Sequence, residues 1–128
     1  MGTPAIATAN AAPAEAAAVL AKATLAAARR LGLSNRDLAR VLGTSEASVS
    51  RLSSGRGLQP GRADAALALL FVRLFRSLDG VTGGSDANAR AWFTAANQHL
   101  GGIPAVLVTS PEGLVNVVQY LDAVRGKL

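Results

Sequence analysis

The sequence predicts an all-α protein in which an N-terminal bundle of short helices is joined by a long apolar helix to a small C-terminal helical domain. Three observations carry that expectation. Half of the 128 residues are apolar but only 4% are aromatic, so Leu, Val and Ala must fill the core, a composition suited to helix–helix packing. Apolar residues recur three and four apart instead of alternating. Glycine, proline and serine stand where helices begin and end.

Residues 1–13, MGTPAIATANAAP, hold two prolines and no periodicity and read as a disordered lead-in. Ala14 to Leu31 is a strong helix former carrying Val19, Leu20, Leu25 and Leu31, and Gly32 ends it. Ser34 is a good N-cap, and Asp37 three positions on makes a near capping box with Asp in place of Glu. Leu38, Ala39 and Leu42 then share a face, with Ala39 small enough for two helices to cross. Gly43 supplies backbone freedom just past the helix end. Ser45 caps a second short helix by accepting from the N–H of Ala47 or Ser48, Val49 and Leu52 form its apolar face, and Gly55 closes it. This is a helix-turn-helix, and the second helix turns Glu46, Ala47, Ser50 and Arg51 outward, in a size that fits the major groove of B-DNA.

GRGLQPG, residues 55–61, is a loop by its glycines and proline. From Arg62 to Leu78 the residues Leu67, Leu70, Phe71, Leu74, Phe75 and Leu78 form one stripe, and Leu69 and Val72 spill onto a second face. A helix apolar over so wide an arc is buried from more than one side: it either joins the two halves or lies in a dimer interface. Arg73 and Arg76 either form its wet side or pair with Asp79. GVTGGSD, residues 80–86, is the next loop, and Ser85 or Asp86 caps a helix with Ala91, Trp92, Ala95 and Ala96, in which Trp92 serves as a core anchor. His99 to Pro104 make a turn with a short helix after it. Ser110-Pro111-Glu112 marks a final helix start, followed by Leu114, Val117, Val118, Leu121 and Val124. Those valines favour a strand, but their spacing and the cap favour a helix. The expected division is 1–13 lead-in, 14–61 helix-turn-helix domain, 62–82 connecting helix and 83–128 C-terminal domain.

The net charge of +5 is uneven. Between Lys22 and Arg62 eight basic residues face Asp37 and Glu46, a local balance of +6, whereas from Ala63 onward five basic and five acidic residues cancel. Positive charge therefore coincides with the helix-turn-helix, as a polyanion-binding module requires. The absence of cysteine excludes disulfides and thiolate metal sites. No membrane-spanning run is expected, and the N-terminus lacks the positive region of a secretory signal, so a cytoplasmic protein is expected. The single histidine, His99, has no acid at a telling spacing, and the glycine-rich pieces lack the flanking strand and Lys-Ser/Thr of a phosphate cradle. No catalytic residue, metal site or cofactor is expected.

LARVLGTSEASVSRLSSG resembles the Xre/lambda-repressor class of helix-turn-helix. The resemblance implies that Glu46, Ala47, Ser50 and Arg51 face the groove, that Asn35 and Ser45 lie near phosphates, and that Arg56 joins the DNA-binding set. Glu46 stands where glutamine is common; a carboxylate repels phosphate and can only accept, for instance from cytosine N4. AWFTAANQHLGGIPAVLVTSPEGLVNVVQYLDAVRGKL is similar to the C-terminal domain of the Xre–MbcA–ParS antitoxins. Trp92, Asn97, Leu100, Gly102, Pro104, Leu107, Ser110, Glu112 and Gly113 carry that similarity. It implies an antitoxin that covers the active-site cleft of a RES-domain toxin acting on NAD and represses its own operon. Trp92, Asn97, Leu100 and Gly102 are then toxin-binding candidates, with the tail of Arg125, Lys127 and Leu128. With the last helix fixed against Trp92 and Ile103, that tail is either a plug whose carboxylate imitates a phosphate or a frayed solubilising end. A homodimer reading an inverted repeat on operator DNA is expected, with no membrane partner. The alternative is a stand-alone transcriptional regulator whose C-terminal half only dimerises it.

Overall fold

The computed structural model describes residues 3–128, with side chains from Ala12 onward. Its described residues form seven helices: α1 (Thr3–Leu31), α2 (Asn35–Leu42), α3 (Glu46–Ser53), α4 (Ala63–Val81), α5 (Asp86–Thr94), α6 (Pro104–Leu107) and α7 (Pro111–Arg125). α4 is the shared spine. It packs along α7, along α1 and across α2, and it also touches α5. Buried side chains of both halves, from Leu38, Leu42 and Val49 to Phe93, Leu114 and Leu121, belong to one continuous core.

The caps follow their side-chain chemistry. The Ser34 Oγ accepts from the Asp37 N–H, and the Ser45 Oγ from the Ser48 N–H, both at 3.1 Å. Gly43 adopts a left-handed conformation with φ 65°, and its N–H closes α2 onto the Arg40 carbonyl. Ala39 is buried between the short helices, as is Val41, which the sequence reading did not place. Ser85 caps α5 and Ser110 caps α7, each accepting from the N–H three residues on.

Several elements differ from expectation. α1 begins at Thr3, so helix replaces the lead-in expected over 3–13; Met1 and Gly2 lie outside the described residues. The alanines of this stretch favour helix, Pro4 falls in the first turn where no N–H is needed, and Pro13 deletes one intrahelical hydrogen bond without ending the helix. α4 runs past Leu78 to Val81 because the Thr82 Oγ1 and N–H both close onto the Leu78 carbonyl, at 2.8 and 2.9 Å. On α4, Val72 is buried with the main stripe, whereas Leu69 is 62% exposed. The loop at 55–61 carries an apolar plug: Leu58 is buried, and its N–H donates to the Ala17 carbonyl at 3.1 Å.

In the C-terminal half, α5 ends at Thr94, which leaves Ala95 and Ala96 exposed beyond it, and Ala91 is exposed as well. The buried register is Ala89 and Phe93. Phe93, not Trp92, is therefore the core anchor; Trp92 is half-buried at the edge. Ile103, expected to brace α7, is 38% exposed. Asp79 pairs with neither Arg73 nor Arg76. Its carboxylate accepts from Arg30 at 2.9 Å, and Arg73 reaches Asp122 instead.

The first turn of α7 passes close to the backbone at Leu107. A Cβ on Gly113 would stand 1.8 Å from the Leu107 carbonyl oxygen, an overlap that backbone must relieve. Gly113→Ala is expected to destabilise the protein by about 2–3 kcal/mol or more, read as a lower urea midpoint at unchanged m-value. Gly83→Ala, in open space but at φ 64°, should cost only about 1 kcal/mol.

Candidate DNA and partner surfaces

α3 presents its candidate surface by burying the opposite face. Val49 and Leu52 point into the core, so Glu46, Ala47, Ser50 and Arg51 are all exposed on the outer side. A polar chain stiffens that side: Ser45 Oγ lies 3.1 Å from Ser48 Oγ, which accepts from Arg51 Nη2 at 3.2 Å. The Arg51 guanidinium is thus oriented yet keeps further N–H groups for an acceptor. Asn35 stands exposed at the first position of α2. Arg36 and Arg40 on α2 are exposed too.

The structure places Arg56 differently from the other DNA-binding candidates. It is half-buried, with Nη2 on the Asp64 carboxylate at 3.0 Å and Nη1 at 3.5 Å from the Ser48 carbonyl. It braces α3 against the start of α4. Arg62 lies 3.8 Å from the same buried carboxylate, whose Oδ1 has no hydrogen-bond partner. Arg30 is also engaged: it bridges Asp79 and Asp86, each at 2.9 Å, and its guanidinium lies 4.6 Å above the Phe75 ring. The Asp86 hydrogen bond, ahead of the two carboxylate charges, holds its pKa above the ordinary arginine range. Three of the eight cations between Lys22 and Arg62 are therefore answered by Asp64, Asp79 and Asp86 from α4 and α5. Lys22, Arg29, Arg36, Arg40 and Arg51 are exposed and make no ion pair among the described residues.

In the C-terminal half, Asn97 builds a tight turn. Its N–H donates to the Gly102 carbonyl at 2.9 Å, its carbonyl accepts from Gly101 at 2.9 Å, and its Oδ1 accepts from the Leu100 N–H at 3.1 Å. Gly101 takes φ 75° there. Gly102 lies close to Leu107, and Leu100 packs partly against the core. Asn97 and Gly102 thus shape this surface through backbone geometry.

Beside the turn stands an aromatic slab absent from the sequence reading. Tyr120 stacks on Trp92 with ring centroids 6.3 Å apart and on His99 at 5.9 Å. Tyr120 sits between Val117 and Val124 on α7, but sequence spacing alone does not bring it against a tryptophan and a histidine from a separate loop. Val106 on α6, 63% exposed, is a further apolar feature that was missed.

The tail is divided. Arg125 lies along Gly80, whose Cβ would stand 3.4 Å from its Nε. Lys127 and Leu128 extend beyond α7, and Leu128 is 81% exposed. Next to Arg125, the Asp122 carboxylate accepts from the buried Ser77 hydroxyl at 2.7 Å and from Arg73. The Ser77 hydrogen bond first, then Arg73 and Arg125, hold the Asp122 pKa below the usual aspartate range.

These two faces correspond to two known domains. The model of the antitoxin Xre-like helix-turn-helix domain matches residues 11–73, and that of the antitoxin Xre/MbcA/ParS C-terminal toxin-binding domain matches residues 77–127. The chain belongs to the Xre/MbcA/ParS antitoxins. No curated protein matches it. In this antitoxin the helix-turn-helix match carries α2 and α3, and the toxin-binding match carries the Asn97 turn, the aromatic slab and α7. Among the described residues no helix is long and apolar enough to cross a membrane.

The lowered pKa of Asp122 ties the α4–α7 contact to pH. A carboxylate whose folded pKa is depressed contributes stability above its unfolded value of about 3.9, lost as pH falls through the folded value. Asp122→Asn is expected to cost about 1 kcal/mol at neutral pH, a figure reduced for solvent exposure. Urea titrations of the antitoxin and the variant should converge in acid; a difference independent of pH would contradict the ionic role.

Proposed function

We propose that this antitoxin neutralises a RES-domain toxin that consumes NAD, by protein–protein contact through its C-terminal half, and represses its own operon through α3. The reading has a homodimer act in the cytoplasm on operator DNA, without catalysis or a cofactor. The observation that carries it is the pairing, on one chain, of an exposed polar recognition helix with a matched toxin-binding domain. The RES toxin and its NAD substrate follow from the resemblance of the C-terminal half.

On the DNA side, Glu46, Ala47, Ser50 and Arg51 face the bases and Asn35 and Ser45 the phosphates, while Arg56 supports α3 from behind. On the toxin side, Trp92 presents an aromatic face of the kind that dominates interface energetics. Asn97, Leu100 and Gly102 shape the turn next to it. Arg125 pairs with acids at the rim of the cleft, and Lys127 and Leu128 reach inward.

Co-expression with the product of the adjacent reading frame tests the reading: copurification, restored growth and preserved NAD support it, and failure of all three sinks it. Arg51→Ala is expected to weaken operator binding by ~1–3 kcal/mol and to relax base preference, as loss of a bidentate guanine contact does. Fluorescence anisotropy on operator variants reads both effects; unchanged affinity and preference would remove Arg51 from the base-reading set. Deleting Lys127 and Leu128, which leaves Arg125 on Gly80, should preserve the melting temperature and DNA binding but weaken protection of NAD. Full protection by the truncated chain would place the toxin contact on the slab and turn alone.

A further inference from the structure

Leu69, Val72, Arg73 and Arg76 stand three, one and three apart on α4 and so share a face of that helix. Near the end of α7, Asp122 and Arg125 stand three apart and turn toward the same space. Between the two helices lies a cavity of about 440 Å³ lined by these side chains and by Ser77. Its volume is that of a small-molecule site.

Three guanidinium groups meet a single carboxylate in this cavity. Asp122 is already engaged: it accepts from the buried Ser77 hydroxyl at 2.7 Å and from Arg73. Arg76 and Arg125 make no ion pair among the described residues. Gly80 has no side chain in the way of Arg125, which therefore lies along α4 at the edge of the cavity. The lining thus carries an excess of two positive charges. Like charges gathered around a concavity focus their field into it and favour a counter-ion there. A guanidinium offers paired N–H donors that match the oxygens of a phosphoryl group. A phosphoryl dianion answers both unpaired arginines, whereas a carboxylate answers one. Leu69 and Val72 add an apolar wall, which suits an organic group better than the water shell of a free ion.

We propose that the α4–α7 cavity binds a phosphate monoester. Arg76 and Arg125 hold its phosphoryl oxygens, Arg73 stands by as a third donor, and the organic group rests on Leu69 and Val72. Binding draws α4 and α7 together and so stabilises the fold by mass action. Arg125 is shared with the toxin contact proposed above but Arg76 is not, so Arg76 carries the test and the antitoxin alone suffices for it.

Calorimetric titration at neutral pH and matched ionic strength compares phenyl phosphate, inorganic phosphate and benzoate, with thermal melts in each ligand as a second reading. Phenyl phosphate is expected to bind most tightly and to raise the melting temperature most, with benzoate weakest. Arg76→Gln, a change at an exposed position, should raise the phenyl phosphate dissociation constant roughly tenfold or more. Arg40→Gln, which removes the same charge from α2, should leave it unchanged. Asp122→Asn, which lifts the one negative charge and releases Arg73, should tighten binding several-fold even though it destabilises the fold. Absence of saturable binding overturns the proposal. So does a loss in Arg40→Gln equal to that in Arg76→Gln, which would mean general attraction to a basic chain, or an Asp122→Asn variant that binds no better than the wild type. A preference for inorganic phosphate overturns the monoester, and one for benzoate overturns the phosphoryl assignment itself.

Discussion

α4 must be buried from two sides at once, and the rest of the chain is arranged to meet that demand. Phe71, Leu74, Phe75 and Leu78 are all buried along it. One helix cannot cover so wide an apolar arc. α1 and α2 take one flank, and α7 takes the other with Leu114, Val117, Val118 and Leu121. Each such side chain contributes about 1.5–3 kcal/mol when removed from water, so neither half can leave α4 without exposing the other's core. The two family matches end and begin at residues 73 and 77, inside this helix. The boundary between the two matched domains thus falls within a helix that packs on elements of both halves.

Electrostatics reinforces the same junction. Arg30 leaves the basic N-terminal half to bridge Asp79 on α4 and Asp86 on α5 while covering Phe75. Arg90 on α5 returns a hydrogen bond to the Arg30 carbonyl at 3.2 Å. At the other end, Arg56 and Asp64 join α3 to α4. These pairs divert cations from the nucleic-acid face, so the charge balance read along the sequence overstates the field available to DNA. What remains is Arg51 on α3 with the exposed arginines of α2, a modest array for one copy, and it favours a reader that engages two half-sites.

The helix-turn-helix was legible in almost every residue because its signals are local. Ser34, Gly43 and Ser45 act within one turn of their positions, and their caps formed as expected. The last helix was legible for the same reason, through Ser110 and Pro111. What escaped depends on contacts between distant segments. The sequence pattern favours Trp92 over its neighbour Phe93 because Ala95 and Ala96 extend the apparent helix past Thr94, where α5 ends. The Trp92–Tyr120–His99 slab, the Leu58 plug and the destination of Arg56 depend on which loop lies beside which helix, and periodicity does not encode that. Gly113 belongs to the motif of the C-terminal half, but the reason for it, the Leu107 carbonyl against it, lies in the fold.

If α4 makes the two matched domains one folding unit, the antitoxin should melt in a single calorimetric transition whose calorimetric and van't Hoff enthalpies agree. Val49→Ala in α3 and Leu121→Ala in α7 should each move that whole transition to lower temperature. Two separable transitions, with each substitution shifting only the one from its own half, would contradict a shared spine and make the chain two independent domains on a linker.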